Sequence, residues 1–213
     1  MSRAQRRSYQ TCFPLYGLKG AETAPLDLRE LFGNDRPVVI EIGFGMGVAT
    51  AAIAEQNPDI NYLGIDVHRP GIGRLLWEVE SRGLKNIRVV EGDAVEFLEH
   101  KVKGASVSAF HIFFPDPWPK KRHHKRRLIT RPFTDLLASK LVSGGYVYMV
   151  TDWAEYAEWA LGELSATVGL VNKYPHFAKP QDWRPQTEFE RKGIKKNHDV
   201  QELFFLKAQW SVK

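Results

Sequence analysis

Val38-Val39-Ile40-Glu41-Ile42-Gly43-Phe44-Gly45-Met46-Gly47 is an apolar run that ends in a glycine-rich turn. Val38 to Ile42 is a β-branched, apolar run, as a parallel strand buried on both faces requires. Gly43, Gly45 and Gly47 then break the run. Glycines let a chain turn tightly and approach a ligand with no Cβ in the way. Val48 to Gln56 reads as a helix, ended by Asn57-Pro58. Strand, glycine turn and helix in that order open a βα unit.

The unit repeats on the carboxyl side. Tyr62 to Asp66, Ile87 to Val90, Val107 to Phe114, Tyr146 to Val150 and Leu203 to Leu206 read as further strands. Arg69 to Arg82, Ala94 to His100, Pro132 to Leu141 and Ala154 to Val168 read as helices between them. The class is therefore α/β, with a mostly parallel sheet and helices on both faces. Residues 1–25 are basic and weakly periodic, and read as a mobile arm. Order is expected from about Asp27, in a single domain over residues 26–213. The stretch 174–197 is rich in proline, charge and aromatics and reads as a long loop.

A chain of 213 residues suits one domain, and 43% apolar with 26% charged residues is an ordinary globular composition. The net charge of +5 favours an acidic partner such as nucleic acid. Cys12 is the sole cysteine, which excludes an internal disulfide and argues against a cysteine-built zinc site. No run approaches the ~18 apolar residues of a membrane span. A cytoplasmic protein without membrane attachment is expected. No metal site is expected either, since His123 and His124 sit in a cationic run that repels cations.

Ligands of such sheets bind beyond the carboxyl ends of the strands, and acids stand at those ends. Glu41 lies two residues before the glycine turn, where it would repel a pyrophosphate but can hold a cationic amino group. Val48 occupies the sixth place of the dinucleotide fingerprint, which calls for Gly or Ala. Both features favour S-adenosylmethionine over a nicotinamide dinucleotide. Asp66 ends the second strand and suits ribose hydroxyls in either cofactor class. Asp93 follows the third, and either accepts from an adenine amino group or caps the next helix.

Phe114-Pro115-Asp116-Pro117-Trp118-Pro119 closes the fourth strand with an acid between prolines. Proline fixes φ and restricts its predecessor, so the backbone around Asp116 is stiff. Lys120-Lys121-Arg122-His123-His124-Lys125-Arg126-Arg127 follows at once, within a basic loop over 119–131. An acid at a strand end beside eight residues holding six Lys/Arg and two His suggests a reaction site next to a polyanion surface.

At these motifs the chain resembles the bacterial tRNA (guanine-N7)-methyltransferase family. Gly43-Phe44-Gly45-Met46-Gly47, Phe114 to Trp118, Lys125-Arg126-Arg127-Leu128, Thr151-Asp152-Trp153 and Thr187-Glu188-Phe189-Glu190 carry the resemblance, from about residue 37 to the C-terminus. It implies a Rossmann-like class I methyltransferase fold with a seven-stranded sheet. It implies methyl transfer from S-adenosylmethionine to N7 of the guanine at position 46 in the tRNA variable loop. It places Glu41, Gly43, Gly45, Asp66, Asp93 and Asp116 at the cofactor, with Asp116 the catalytic residue. It places Lys120, Asp152, Thr187, Glu188, Phe189 and Glu190 at the target nucleotide, and Arg122, His123, His124, Lys125, Arg126 and Arg127 on RNA. Trp118, Trp153 and Phe189 are candidates to stack on the base. A methyltransferase with another substrate, an RNA-binding module with a vestigial pocket and, against Val48, a nicotinamide dehydrogenase are the rival readings. Monomer and homodimer both remain open.

Overall fold

The computed structural model describes residues 1–22, 24–186, 190 and 199–208. The glycine-turn unit forms as its sequence dictates, with β2 over Val38–Ile42 and α3 over Val48–Gln56. Chain order is α1 (Arg3–Tyr16), β1 (Gly17–Lys19), α2 (Leu28–Phe32), β2, α3, β3 (Asn61–Asp66), α4 (Arg69–Arg82), β4 (Ile87–Glu91) and α5 (Ala94–Lys101). β5 (Val107–Phe113), a 3-10 turn (Lys121–Arg126), α6 (Arg131–Lys140), β6 (Leu141–Thr151), α7 (Ala154–Ser165), β7 (Leu170–Asn172) and β8 (Gln201–Lys207) follow.

The sheet runs β1-β4-β3-β2-β5-β6-β8-β7, parallel except where β8 pairs antiparallel with β6 and β7. Pairings such as Glu41↔Gly64 and Glu41↔His111 put β2 between β3 and β5. β2 is thus the point where strand order reverses, and the crevice at its carboxyl end is where such sheets bind ligands.

All five residues of β2 are buried, and their alternation feeds two cores. Val38, Ile40 and Ile42 face α2, α5, α6 and α7, whose Phe32, Phe97, Phe133 and Tyr156 complete that layer. Val39 faces the other side, with Ala51, Ile72, Leu75 and Cys12 of α3, α4 and α1. Each such fully buried aliphatic side chain stabilises the fold by about 1.5–3 kcal/mol. On this second face Tyr174, Ala178 and Trp183 of the stretch expected as a loop pack with Phe113, Tyr148 and Phe204 of β5, β6 and β8.

Two expectations are corrected here. The sheet has eight strands because β1 adds to its edge, Gly17↔Val89 to Lys19↔Glu91. The segment expected as a mobile arm forms α1, capped by Ser2 in a reciprocal box with Gln5. α1 lies against α4 because Gly73 has no side chain; a Cβ there would meet Gln5 O at 2.5 Å. Its middle is tied through Tyr9 to Glu91, which also bonds Lys19 (2.5 Å) and Arg69 (2.5 Å). Burial opposes the Glu91 charge, but these three partners outweigh it and bring the pKa down to about 2. β7 is a further edge strand not foreseen from sequence.

Candidate active site and nucleic-acid interface

A pocket of about 340 Å³ opens at the switch point, lined by Glu41, the turn Gly43 to Gly47, Ala52, Phe113 and Phe114, with Pro185 and Gln186 across it. Gly43 and Gly45 take φ of +71° and +58°, a left-handed conformation that disfavours any side chain. A Cβ on either would meet open space, so the bare backbone faces the pocket. Glu41 is 3% exposed, and among the described residues its Oε2 has no hydrogen-bond partner. Burial raises its pKa to about 7, against a lowering by Thr50 and with a further push from Asp66. A buried acceptor left without a donor costs about 1–3 kcal/mol. That cost marks a place for a cationic or N–H-bearing ligand group, which fits the amino acid end of S-adenosylmethionine.

Asp66 holds the turn. One oxygen accepts from Gly45 N at 3.0 Å and the other from His68 N at 2.8 Å. A carboxylate has about four lone-pair sites, so capacity for hydroxyls remains. Asp93 resolves its two alternatives in part: it caps α5, accepting from Glu96 N at 3.0 Å. It also lines a surface hollow with Glu99, Arg126 and Leu128.

Asp116 is exposed on the turn that follows Phe114. The turn is strained, since Phe114 and Trp118 take φ of +51° and +43°. Bulky residues seldom adopt positive φ, and each such residue costs of order 1–3 kcal/mol. Asp152 follows β6, the strand beside β5, so both acids stand at the carboxyl edge of the sheet.

The basic run forms the 3-10 turn Lys121–Arg126. Lys120, Lys121, Arg122, Lys125 and Arg126 are exposed, and His123 and His124 partly so. Arg126 stacks over Trp118 at 4.9 Å, with His123 edge-on to the same ring at 5.8 Å. Arg127 departs from expectation. Its side chain is 0% exposed and bonds Glu155 and Pro117 O, so it is no surface contact for RNA. The reason is local: leaving the turn, residue 127 faces α7 and the rings of Tyr156 and Trp159.

Thr187, Glu188 and Phe189 lie outside the described residues. Glu190 is buried at 4%, and both its oxygens accept from Arg184, at 2.6 and 2.8 Å. The same guanidinium donates to Glu202 at 2.8 Å, and Tyr148 also donates to Glu202. Trp183 stacks on His111 at 4.8 Å. Burial pushes His111 down to about 3, so it is neutral, and its Nε2 meets Tyr146 Oη at 3.0 Å. Sequence reading missed Arg184, Trp183, His111 and Glu202. A signal existed, because His111 and Glu202 are polar residues within apolar strands and each demands a partner.

No cluster of His, Cys, Asp and Glu among the described residues is placed to hold a metal. No described helix is long and apolar enough to cross a membrane.

Residues 35–203 match the sequence model of a family described as "Putative methyltransferase". The tRNA (guanine-N(7)-)-methyltransferase of Nitrosomonas eutropha is 45% identical, over 97% of this chain and 92% of its own. That of Neisseria meningitidis serogroup A is 48% identical, over 96% and 86%. That of Treponema pallidum is 56% identical, over 81% and 68%. Among solved structures, the 16S rRNA methyltransferase KamB superposes with a TM-score of 0.64, covering 92% of this chain and 100% of its own at 15% identity. An rRNA methylase from Streptococcus thermophilus gives 0.55, over 88% and 99% at 13% identity. The fold is that of the class I methyltransferases, and the chain belongs to the tRNA (guanine-N7)-methyltransferase family.

Proposed function

We propose that the chain transfers a methyl group from S-adenosylmethionine to N7 of the guanine at position 46 in the tRNA variable loop. The Glu41 Oε2 that has no hydrogen-bond partner among the described residues, beside the glycine turn, carries the donor half of this reading. The near-full-length likeness to relatives named for tRNA guanine N7 supports the acceptor half. A tRNA substrate places the reaction in the cytoplasm.

When bound, S-adenosylmethionine supplies a methyl group on a sulfonium sulfur. Glu41 holds its ammonium, and the bare faces of Gly43 and Gly45 let the backbone close on it. Asp66 offers its remaining lone pairs to ribose hydroxyls, and Asp93 lies beside the adenosine end.

Guanine N7 carries a free lone pair and no proton, so no residue is required as a base. The protein contributes alignment, which can supply about 7–11 kcal/mol. Methylation at N7 leaves the guanine cationic. Asp116 orients the base and stabilises that charge. Asp152 and Glu190 accept from N1–H and the exocyclic amino group, with Glu190 held by Arg184. Thr187, Glu188 and Phe189 complete the nucleotide site, with Lys120 beside it. Arg122, His123, His124, Lys125 and Arg126 hold phosphates, reading tRNA shape more than sequence.

The test is incubation with methyl-labelled S-adenosylmethionine and unmodified tRNA, followed by digestion to nucleosides. Label eluting as 7-methylguanosine upholds the proposal. Label on any other nucleoside, or none, refutes it.

A further inference from the structure

We propose that Arg127 is a positioning residue: it locks the strained Phe114–Trp118 turn that carries Asp116, and it does not touch RNA. The inference rests on the role assigned to Asp116 above.

Among the residues of the basic run, Arg127 alone is turned fully inward. Arg122, Lys125 and Arg126 are exposed, whereas its side chain has 0% exposure. Its Nε donates to Pro117 O at 2.9 Å, the carbonyl directly after Asp116. Its two terminal nitrogens donate to the two oxygens of Glu155, one of them at 3.1 Å. The nitrogen on the shorter bond also meets His124 Nε2 at 3.0 Å. The guanidinium lies 5.1 Å from the Tyr156 ring centre and 5.0 Å from that of Trp159. Only a planar fork reaches a carbonyl on one edge and a carboxylate on another while stacking on rings; lysine is a point charge and cannot.

The turn needs such a tie. Positive φ at Phe114 and Trp118 persists only if surrounding structure over-determines it. Phe114 N, bonded to Val150 O at 2.8 Å, holds the entry of the turn. Arg127 holds its exit. Glu155, Tyr156 and Trp159 all belong to α7, which is itself joined to the chain beyond Arg127. Ile129 N donates to Tyr156 Oη at 3.2 Å, and Trp159 Nε1 donates to Ile129 O at 2.7 Å. Through this arginine the rigidity of a core helix reaches the backbone of Asp116. Because α7 starts two residues after Asp152, with Trp153 as its N-cap, the same tie fixes one acid relative to the other.

The experiment compares wild type, Arg127→Lys and Glu155→Ala, with thermal melting to confirm folding. It reads kcat at saturating tRNA and S-adenosylmethionine, tRNA Kd as a function of salt, and amide hydrogen exchange over residues 113–119. Arg127→Lys is expected to lower kcat by about 10- to 100-fold, the scale of a misplacement near 1 Å. Its tRNA Kd and salt slope should match wild type, since no phosphate contact is lost. Exchange at Phe114, Asp116 and Trp118 should quicken while β5 stays protected. Glu155→Ala should act in the same direction, and it decides the matter if Arg127→Lys does not fold. Wild-type kcat together with wild-type exchange in a folded variant would overturn the proposal. So would weakened tRNA binding with a flattened salt slope and kcat retained. If the wild type methylates no guanine, the functional reading fails separately, and exchange alone then upholds or rejects the tie.

Discussion

Glu41 carries a conflict between stability and binding. Its carboxyl titrates near 7 in the folded chain because burial disfavours the charge, against 4.5 for an unburied glutamate. Between those values the folded state binds more protons than the unfolded one, so stability falls as pH rises through the window. The loss approaches about 3 kcal/mol above it. Glu41→Gln should therefore melt higher than wild type at pH 8 without ligand, and alike at pH 4.5. The same variant should lose S-adenosylmethionine binding, which calorimetry reads directly. For wild type, affinity should weaken by about tenfold for each pH unit below 7, as the carboxylate is lost. Asp116 sits exposed on the turn after Phe114. Asp116→Ala should cut kcat by about 100-fold or more, in the range of a lost transition-state contact, with tRNA binding retained. Glu41 and the glycines are legible in the sequence because an acid and bare backbone at a strand end have few other uses. Arg127 is not, because nothing in a run of cations says which one turns inward.

At the scale of elements, the basic turn keeps most of its cations exposed, while the 174–186 stretch does different work from what its composition suggests. The exposed part of the turn should behave as a phosphate contact. Arg126→Gln should weaken tRNA binding and reduce the log–log salt slope by about one, measured by filter binding at several salt concentrations. The 174–186 stretch is a folded layer. Trp183 lies on a platform of His111 and Tyr148, and Arg184 bridges Glu190 and Glu202. Arg184→Met would leave two buried carboxylates without their cation, a loss of about 3–5 kcal/mol. Urea denaturation should show it, and adding Glu202→Gln should restore part of the loss by more than about 0.5 kcal/mol. Helices α3, α4 and α5 are legible from their punctuation: Asn57-Pro58, Gly83 and the Asp93 cap mark the ends. α1 is not, because it buries only Ser8 and Cys12 and so shows no broad apolar stripe. β1 and β7, three residues each, are too short for any period to register.

For the whole molecule, the strand order concentrates the chemistry at one edge. The reversal at β2 opens a pocket under Glu41, and β5 and β6 carry Asp116 and Asp152 to the same edge. The basic turn leaves β5 at that edge and gives a long anion somewhere to lie. The βα repeat behind this arrangement is readable from the apolar runs and glycine turn of the sequence, whereas the strand order is not, because it is set by pairings between strands far apart in the chain. The loop layer over β5, β6 and β8 is not readable in that way, since its contacts join residues far apart in sequence. On the proposed function, N7 of a single guanine is the target. Methyl label should be offered to two tRNA transcripts that differ only in guanine or adenine at position 46. Label on the guanine transcript alone is the predicted result. Equal labelling of both, or of neither, would contradict it.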